Sequence, residues 1–361
     1  MTDRAVIPVP MLDSLPQIDA AWLESVLHAA GHAMRVDGFV LEPIGAGNVS
    51  DTARIVLDAS GEGPRSLVAK FRPTSDAAHA HGVASGAYRC EAGAYRLFAA
   101  QGDGCRTPRI LWLEGGDDNI NIVMEDLSRS ARAGDQLAGC GVADASAVVM
   151  QLARLHRGFW PLDDMQAPDW LLRMPACGDY WAPITLQGAP VIWERFRDLL
   201  PGAYLETVRE AAPLSRVWHD LGHPAMTVTH GDPRVDNVLF DDSAGTPEAI
   251  LIDWQVTGLR NAMHDIGYFL STSVPVDGRR EHERRMLEGY AHEFGTGRGY
   301  SIGRITDDYQ VQLVSGLMTV IAAAAVLPDE PRANRLLAVL LERTCAAVID
   351  WQSLDALRRV A

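Results

Sequence analysis

The feature that most constrains this chain is a change of periodicity about a third of the way along it. Between residues 39 and 124 short β-type runs alternate with glycine-rich turns: Phe39–Ile44, Ala53–Leu57 and Ser66–Phe71, then the alternating stretch Asn119–Met124. One helical pattern, Tyr88–Ala100, interrupts them. Ahead of them residues 17–31 read as an amphipathic helix, with Asp19 as N-cap, Trp22, Leu23, Val26 and Leu27 on its apolar face and Gly31 as its stop. Further on, helical spacing takes over. Ala145–His156 repeats apolar residues at Val148, Val149, Leu152 and Leu155, one or two helices fit 191–219, and the chain is helical from about 278 to its end. The expectation is an α+β fold, with a small antiparallel sheet in an N-lobe (1–126) and a larger, mainly α-helical C-lobe (127–361). At roughly 150 residues per domain, 361 residues suit two such bodies.

The helical part is broken once, where a short strand, Met226–Thr229, runs into His230-Gly-Asp232-Pro-Arg-Val-Asp-Asn237. Val238–Phe240 and Ala249–Asp253 then form a hairpin, flanked by Asn237 and Asp253. Hard oxygen donors of this kind suit Mg²⁺, which takes few protein ligands and completes its shell with phosphate and water. Asp232, five residues before Asn237, can accept a proton from a substrate hydroxyl. A metal on phosphates and a carboxylate on a nucleophile are parts of a phosphoryl-transfer site. Other parts come in order. Gly45-Ala-Gly47-Asn-Val-Ser50 falls between two expected strands, where backbone N–H groups can approach phosphates. Lys70, the single lysine among 32 basic residues, ends Val68-Ala-Lys70 on the third strand, and Glu91 on the next helix can pair with it. The glycine loop or Glu91 alone would be a turn or a surface acid. The His-x-Asp-x₄-Asn and Asp-Trp pair carries the signal, and its competing reading is a polar turn between strands.

These residues resemble those of the aminoglycoside phosphotransferase and choline kinase-like family, which has a protein-kinase-like fold. Val68-Ala-Lys70, Glu91, Met124-Glu-Asp-Leu127, Leu152-Ala-Arg-Leu-His156, His230–Asn237 and Ile252-Asp-Trp-Gln255 run in family order across roughly residues 35 to 270. The resemblance implies an ATP-dependent small-molecule kinase. Lys70 contacts the α- and β-phosphates and Glu91 orients it, the backbone of Glu125–Leu127 grips adenine, Asp232 is the catalytic base, and Asn237 and Asp253 hold Mg²⁺. His156 packs the catalytic loop and Asp265 braces the loop after the metal site. Arg234, where protein kinases of this fold carry lysine, is expected to stabilise charge on the transferred phosphate. A catalytically silent nucleotide-binding protein of the same fold is the alternative.

Composition narrows the partners. A net charge of −15 argues against nucleic acid or an anionic membrane as partner. Five scattered cysteines with no C-x-x-C pair argue for a reducing compartment, and the start lacks a signal-peptide layout, so a cytoplasmic protein is expected. The apolar run Leu317–Leu327 is too short for a bilayer and reads as a buried helix. The expected partner is a hydroxyl-bearing small molecule of open identity, and oligomeric state is open too. Asp307, Asp308 and Glu330 are candidates for holding a cationic amine, against the common reading of solvated helix acids. Two patterns are read as decoys. Ile349-Asp350-Trp-Gln352 repeats the tetrapeptide at 252–255 within a helical run and lacks an upstream His-x-Asp. His219-Asp-Leu-Gly-His223 loosely matches a zinc-hydrolase helix, but Gly222 and Pro224 favour a loop there. His79-Ala-His81 carries no clear message.

Overall fold

The computed structural model describes residues 9–46, 49–101, 104–222, 226–295 and 297–361. The chain divides into two units, one of residues 1–102, 107–130 and 253–255, the other of 103–106, 131–252 and 256–361. Each is described by itself.

The first unit begins with helix α1 (Ala20–Ala29), capped by Asp19, whose carboxylate accepts from the Trp22 N–H at 2.7 Å. Gly31 follows it in the left-handed region at φ 86°. Strands β1 (Arg35–Ala46), β2 (Asp51–Ser60) and β3 (Ser66–Phe71) lead to helices α2 (Asp76–Ser85) and α3 (Ala87–Gln101), then to β4 (Ile110–Gly115) and β5 (Ile120–Glu125). The five strands form one antiparallel sheet in the order β1-β2-β3-β5-β4. Period-two alternation decides its faces. Ala53, Ile55 and Leu57 of β2 and Leu67, Ala69 and Phe71 of β3 are buried with Trp22, Leu23, Val26 and Leu27 of α1 in one core. Trp22 meets Phe71 and Trp112 edge-on, with ring centroids 5.8 and 5.4 Å apart. Lys70 therefore points to the opposite face, in register with Thr52 and Ile122. β1 is longer than the sequence pattern implied: it runs through Ala46, with a register shift between Pro43 and Ala46, so Gly45 lies in an irregular strand end.

The second unit starts with β6 (Ala131–Ala133) and α4 (Val142–Gly158), then β7 (Leu172–Arg173), α5 (Met174–Phe196), α6 (Gly202–Ala211) and α7 (Ser215–His219). The stretch expected to hold one or two helices thus holds three, and α5 begins well before 191. Pro183 and Pro190 lie inside α5, which is why its sequence does not read as one helix. Strands β8 (Thr227–Thr229), β9 (Val238–Asp241), β10 (Glu248–Leu251) and β11 (Gly258–Arg260) follow. The expected hairpin is present: β9 pairs with β10 from Asp241↔Glu248 to Val238↔Leu251. Its sheet has the order β10-β9-β6, and a second small sheet has the order β7-β11-β8. Helices α8 (Met263–Ser273), α9 (Val276–Phe294), α10 (Ile302–Gln312), α11 (Val314–Val326), α12 (Pro331–Asp350) and α13 (Ser353–Val360) complete the unit.

The run expected to be a buried helix is α11, continued in front by α10. Ile302–Val326 is long and apolar enough to cross a bilayer by length and composition, yet 72% of its most apolar window is buried inside the protein. It is a core helix. α11 crosses α5 at Gly188, where a Cβ would stand 1.8 Å from the Ile321 carbonyl oxygen. Alanine would gain about 1 kcal/mol of helix propensity there, but the obstructing atom is backbone and cannot swing away. Gly188→Ala is therefore expected to destabilise by about 1–3 kcal/mol, read as a lower urea midpoint. An unchanged or raised midpoint contradicts the crossing.

Candidate active site

In the first unit the site is built around Lys70. Its ammonium lies 2.8 Å from Glu91 Oε1 and 2.8 Å from Asp253 Oδ1 and is 8% exposed. Burial works against the lysine's charge, but the two carboxylates outweigh it and hold Lys70 protonated, above its ordinary range. Burial pushes the Glu91 carboxyl up, and Lys70 draws it back. One cation between two carboxylates leaves the trio with net negative charge. Asp253 adopts φ 67°, the left-handed region that few residues other than glycine enter, and Gln255 Nε2 donates to its second oxygen at 3.4 Å. Trp254 beside it is fully buried against Phe98, with centroids 4.5 Å apart. The Glu125 N–H donates to the Arg109 carbonyl at 3.0 Å, and Leu127 O accepts from Ser130 N–H at 3.0 Å. The Leu127 N–H has no hydrogen-bond partner among the described residues. Ser50 is buried just before β2, and Gly45 belongs to β1. Gly47 lies outside the described residues.

In the second unit the segment from His230 to Asn237 is held by Asp265. Its carboxylate accepts from the N–H groups of His230 (2.7 Å) and Gly231 (2.9 Å) and lies 3.1 Å from His156 Nε2. Asp265, expected to brace the chain after Asp253, thus braces the loop that carries Asp232. His156 is fully buried and passes its other ring nitrogen to the Tyr290 hydroxyl at 3.0 Å, the packing role expected of it. Burial alone would raise the Asp265 carboxyl. Its bonds with His156 and His264 more than offset that and hold it well below the usual carboxylate range. Gly231 takes φ 88°, and a Cβ there would stand 2.3 Å from the Val256 carbonyl oxygen, so only glycine fits.

This loop brings Asp232, Arg234 and Asn237 together. Asn237 Nδ2 donates to the Asp232 carbonyl (2.9 Å) and to its Oδ2 (3.2 Å), while Arg234 Nη1 lies 3.7 Å from the same Oδ2. Asp232 Oδ1 is buried without a hydrogen-bond partner among the described residues. The Asn237 carbonyl accepts from Ile252 N–H at 3.1 Å, the residue just before Asp253. Three supports have no short motif and escape a sequence reading. Gln136 Oε1 and Ser273 Oγ both accept from the Val235 N–H, at 3.1 and 3.0 Å. Tyr268 is the third: burial and the neighbouring Asp232 charge push its phenol well above the usual value.

The decoys resolve on their bonds. Asp350 ends α12 and pairs with Arg279 and with Arg280 at 2.8 Å. His219 Nδ1 lies 2.8 Å from the Ser215 carbonyl within α7, and His223 lies outside the described residues. His79 Nδ1 contacts the Tyr88 hydroxyl at 3.2 Å. Asp308 accepts from Asn261 Nδ2 and the Tyr300 hydroxyl, each at 2.8 Å, whereas Asp307 and Glu330 are exposed.

An antiparallel five-stranded sheet carrying the Lys70–Glu91 pair, and a mainly helical unit carrying the loop of Asp232 and Asn237, belong to the protein-kinase-like class of folds. The chain belongs to the phosphotransferase enzyme family, whose pattern it matches over residues 40–304. Among solved structures it is similar to an ethanolamine kinase from Plasmodium vivax, at 10% identity over 92% of this chain and 89% of that one, with a TM-score of 0.53. It is also similar to a choline kinase from Streptococcus pneumoniae, at 13% identity over 92% and 98% of the two chains, with a TM-score of 0.50. No curated protein matches the sequence significantly.

The histidines beside Asp265 set a pH dependence. Burial lowers His264 to about 4, with the Arg260 charge adding and Asp265 opposing, and burial likewise lowers His219. An unfolded histidine titrates near 6.5. Between those values the unfolded chain binds protons that the native one does not, so stability is lost as pH falls. The urea midpoint is expected to drop steadily from pH 7 to 4.5. His264→Phe keeps a ring against Trp218 and takes up no proton, so it is expected to flatten the slope, with His219 supplying the remainder. A variant that retains the full slope removes His264 from this account.

Proposed function

We propose that this protein transfers the γ-phosphate of ATP to a hydroxyl group of a small molecule, with no phosphoenzyme. The observation that carries the reading is Asp232, with one carboxylate oxygen held by Asn237 and the other buried without a partner among the described residues, on a loop clamped by Asp265. That free oxygen suits a general base. As the acceptor oxygen bonds to the γ-phosphorus, the bond from that phosphorus to the β-bridging oxygen breaks, ADP leaves with the electron pair, and the acceptor's proton passes to Asp232. Arg234 supplies positive charge to the transferred group. Lys70, fixed by Glu91, takes the α- and β-phosphates, the glycine-containing segment with Gly45, Gly47 and Ser50 serves the phosphates, and the backbone from Glu125 to Leu127 receives the adenine. The unused Leu127 N–H supports that last role.

The donor set fits Mg²⁺. Asn237 spends its amide nitrogen on Asp232, which leaves its carbonyl oxygen for a cation, and Asp253 is a carboxylate in a trio of net negative charge. No cluster of three or more His, Cys, Asp or Glu suited to a metal occurs among the described residues, in keeping with an ion that relies on phosphate and water for most of its shell. When bound, Mg²⁺ would neutralise charge on the phosphates. The likeness to an ethanolamine kinase and a choline kinase supports a small alcohol as acceptor. A cytoplasmic site of action suits an ATP-dependent enzyme with five free cysteines.

Asp232→Ala is expected to lower kcat by roughly 10²–10⁴-fold while nucleotide binding, read by fluorescent-analogue titration, stays within a few-fold. Undiminished phosphate transfer would refute the base. Lys70→Arg is expected to raise KM for ATP and depress kcat together, because the bulkier planar guanidinium cannot keep the ammonium's two carboxylate contacts and still turn a donor toward the phosphates. Steady-state kinetics indistinguishable from wild type would remove Lys70 from the nucleotide site.

A further inference from the structure

Three arginines of the second unit are at least nine-tenths buried, and they differ in what answers their charge. Arg279 is paired with Glu283, Nη1 to Oε2 at 2.7 Å, and with Asp350. Arg343 meets no carboxylate, but its donors reach the carbonyls of Gln136 (2.8 Å), Thr272 (3.0 Å) and Leu137 (2.9 Å). Arg260, 5% exposed at the end of β11, has neither arrangement. Only its Nη1 is used, donating to Thr229 Oγ1 at 2.9 Å and to the Val256 carbonyl at 3.1 Å. Its Nε is buried with no hydrogen-bond partner, and no ion pair forms to it, among the described residues. A guanidinium cannot escape burial by losing its proton, so a charge left this way calls for an anion from outside the chain.

The location says which molecule brings that anion. Arg260 Nη1 stands 2.8 Å from where a Cβ on Gly231 would be, and Gly231 is the residue before Asp232. The Arg260 charge also bears on His264 and His219. The His264 ring stacks on Trp218 (centroids 5.7 Å apart) and lies parallel to Tyr268 (6.4 Å). The Asp232 charge in turn bears on the Tyr268 phenol. Asp232, Gly231, Arg260, His264 and Tyr268 therefore lie in one neighbourhood of the second unit, which holds both Asp232 Oδ1 and Arg260 Nε, each unpartnered among the described residues. Carboxylates that would favour an amine are already engaged: Asp265 by two backbone N–H groups and His156, and Asp308 by Asn261 and Tyr300.

We propose that Arg260 determines acceptor specificity: the acceptor is a small alcohol that also bears an oxyanion, received by the Nε and Nη2 edge of Arg260 while its hydroxyl faces Asp232. That edge presents two parallel N–H donors, the geometry that a carboxylate or phosphate takes up in bidentate fashion. The oxyanion site stands on Arg260 itself; the role of its ligand as phosphate acceptor rests on the function proposed above.

The test is isothermal titration of the full chain with glycerate and with glycerol 3-phosphate, against glycerol and choline, followed by ADP release with each. At least one anionic probe is expected to bind about tenfold or more tightly than glycerol and choline, and which one binds separates a carboxylate ligand from a phosphate ligand. Arg260→Gln is expected to abolish that preference, Arg260→Lys to keep part of it, and Asp232→Asn to leave it within a few-fold. Binding lost in both arginine variants with native circular dichroism, and kept in Asp232→Asn, supports the site. Anionic probes that bind no better than glycerol, or that bind Arg260→Gln as well as wild type, overturn it. Anionic binding with no ADP release from any of the four probes leaves the oxyanion site standing and removes the phosphotransfer reading. ADP release with choline or glycerol, and none with either anionic probe, does the reverse.

Discussion

One buried carboxylate organises the second unit. Asp265, at 0% exposure, accepts from two successive backbone N–H groups and from a histidine, and those two N–H groups open the loop that carries Asp232. Two backbone donors on one carboxylate fix a loop more tightly than side-chain contacts would, because no rotamer is left to absorb a shift. The geometry also dictates the sequence around it. The chain must turn through a left-handed residue pressed against the Val256 carbonyl, hence Gly231, and the histidine must be tethered at its far nitrogen, hence Tyr290. Val235, later in the same loop, is held by Gln136 and Ser273, so both ends of the loop are anchored before any ligand arrives. That is the preorganisation a phosphoryl transfer needs, since most of its catalysis is positioning.

The elements legible in the sequence were those whose pattern reports a single environment. α1 turns Trp22, Leu23, Val26 and Leu27 and β3 turns Leu67, Ala69 and Phe71 toward one core, and Asp19 caps α1 where its side chain was expected to. Elsewhere tertiary demands overrode the local signal. α5 keeps two interior prolines because its burial against α11 outweighs the lost backbone bonds, and β4, with Leu111 its one buried residue, is set by pairing with β5. The chemical motif was legible because its residues are close in sequence. The groups that hold or shape it were not: Gln136 lies 99 positions from the residue it supports, and no spacing rule links them. Arg260 was silent for a different reason. In a chain with 31 arginines one more is unremarkable until its missing partner is seen.

Electrostatics divide the two groups of residues. In the first unit a single cation serves two carboxylates, an excess of negative charge that a divalent ion would relieve. In the second, Asp232 shares its surroundings with Arg234 and the neutral phenol of Tyr268, and Asp265 is saturated by hydrogen bonds. The net charge of −15 belongs to neither group. It is spread over the surface, where single acids such as Asp307 and Glu330 are solvated and screened, so the bulk charge says little about what the site admits.

The lone lysine shows the same separation of local need from bulk composition. Everywhere else this chain meets the need for a cation with arginine, including the buried positions 279 and 343, where several acceptors are spread around a planar fork. At position 70 the acceptors converge instead. Glu91 and Asp253 both sit 2.8 Å from one nitrogen, on a residue that is 8% exposed. An ammonium is a compact charge with three donors directed tetrahedrally, and two of them are spent here, which leaves a third to reach a phosphate oxygen. A guanidinium would have to turn its plane to satisfy both carboxylates and would then present its carbon edge where that third donor stands. Position, more than charge, is what the site asks of Lys70.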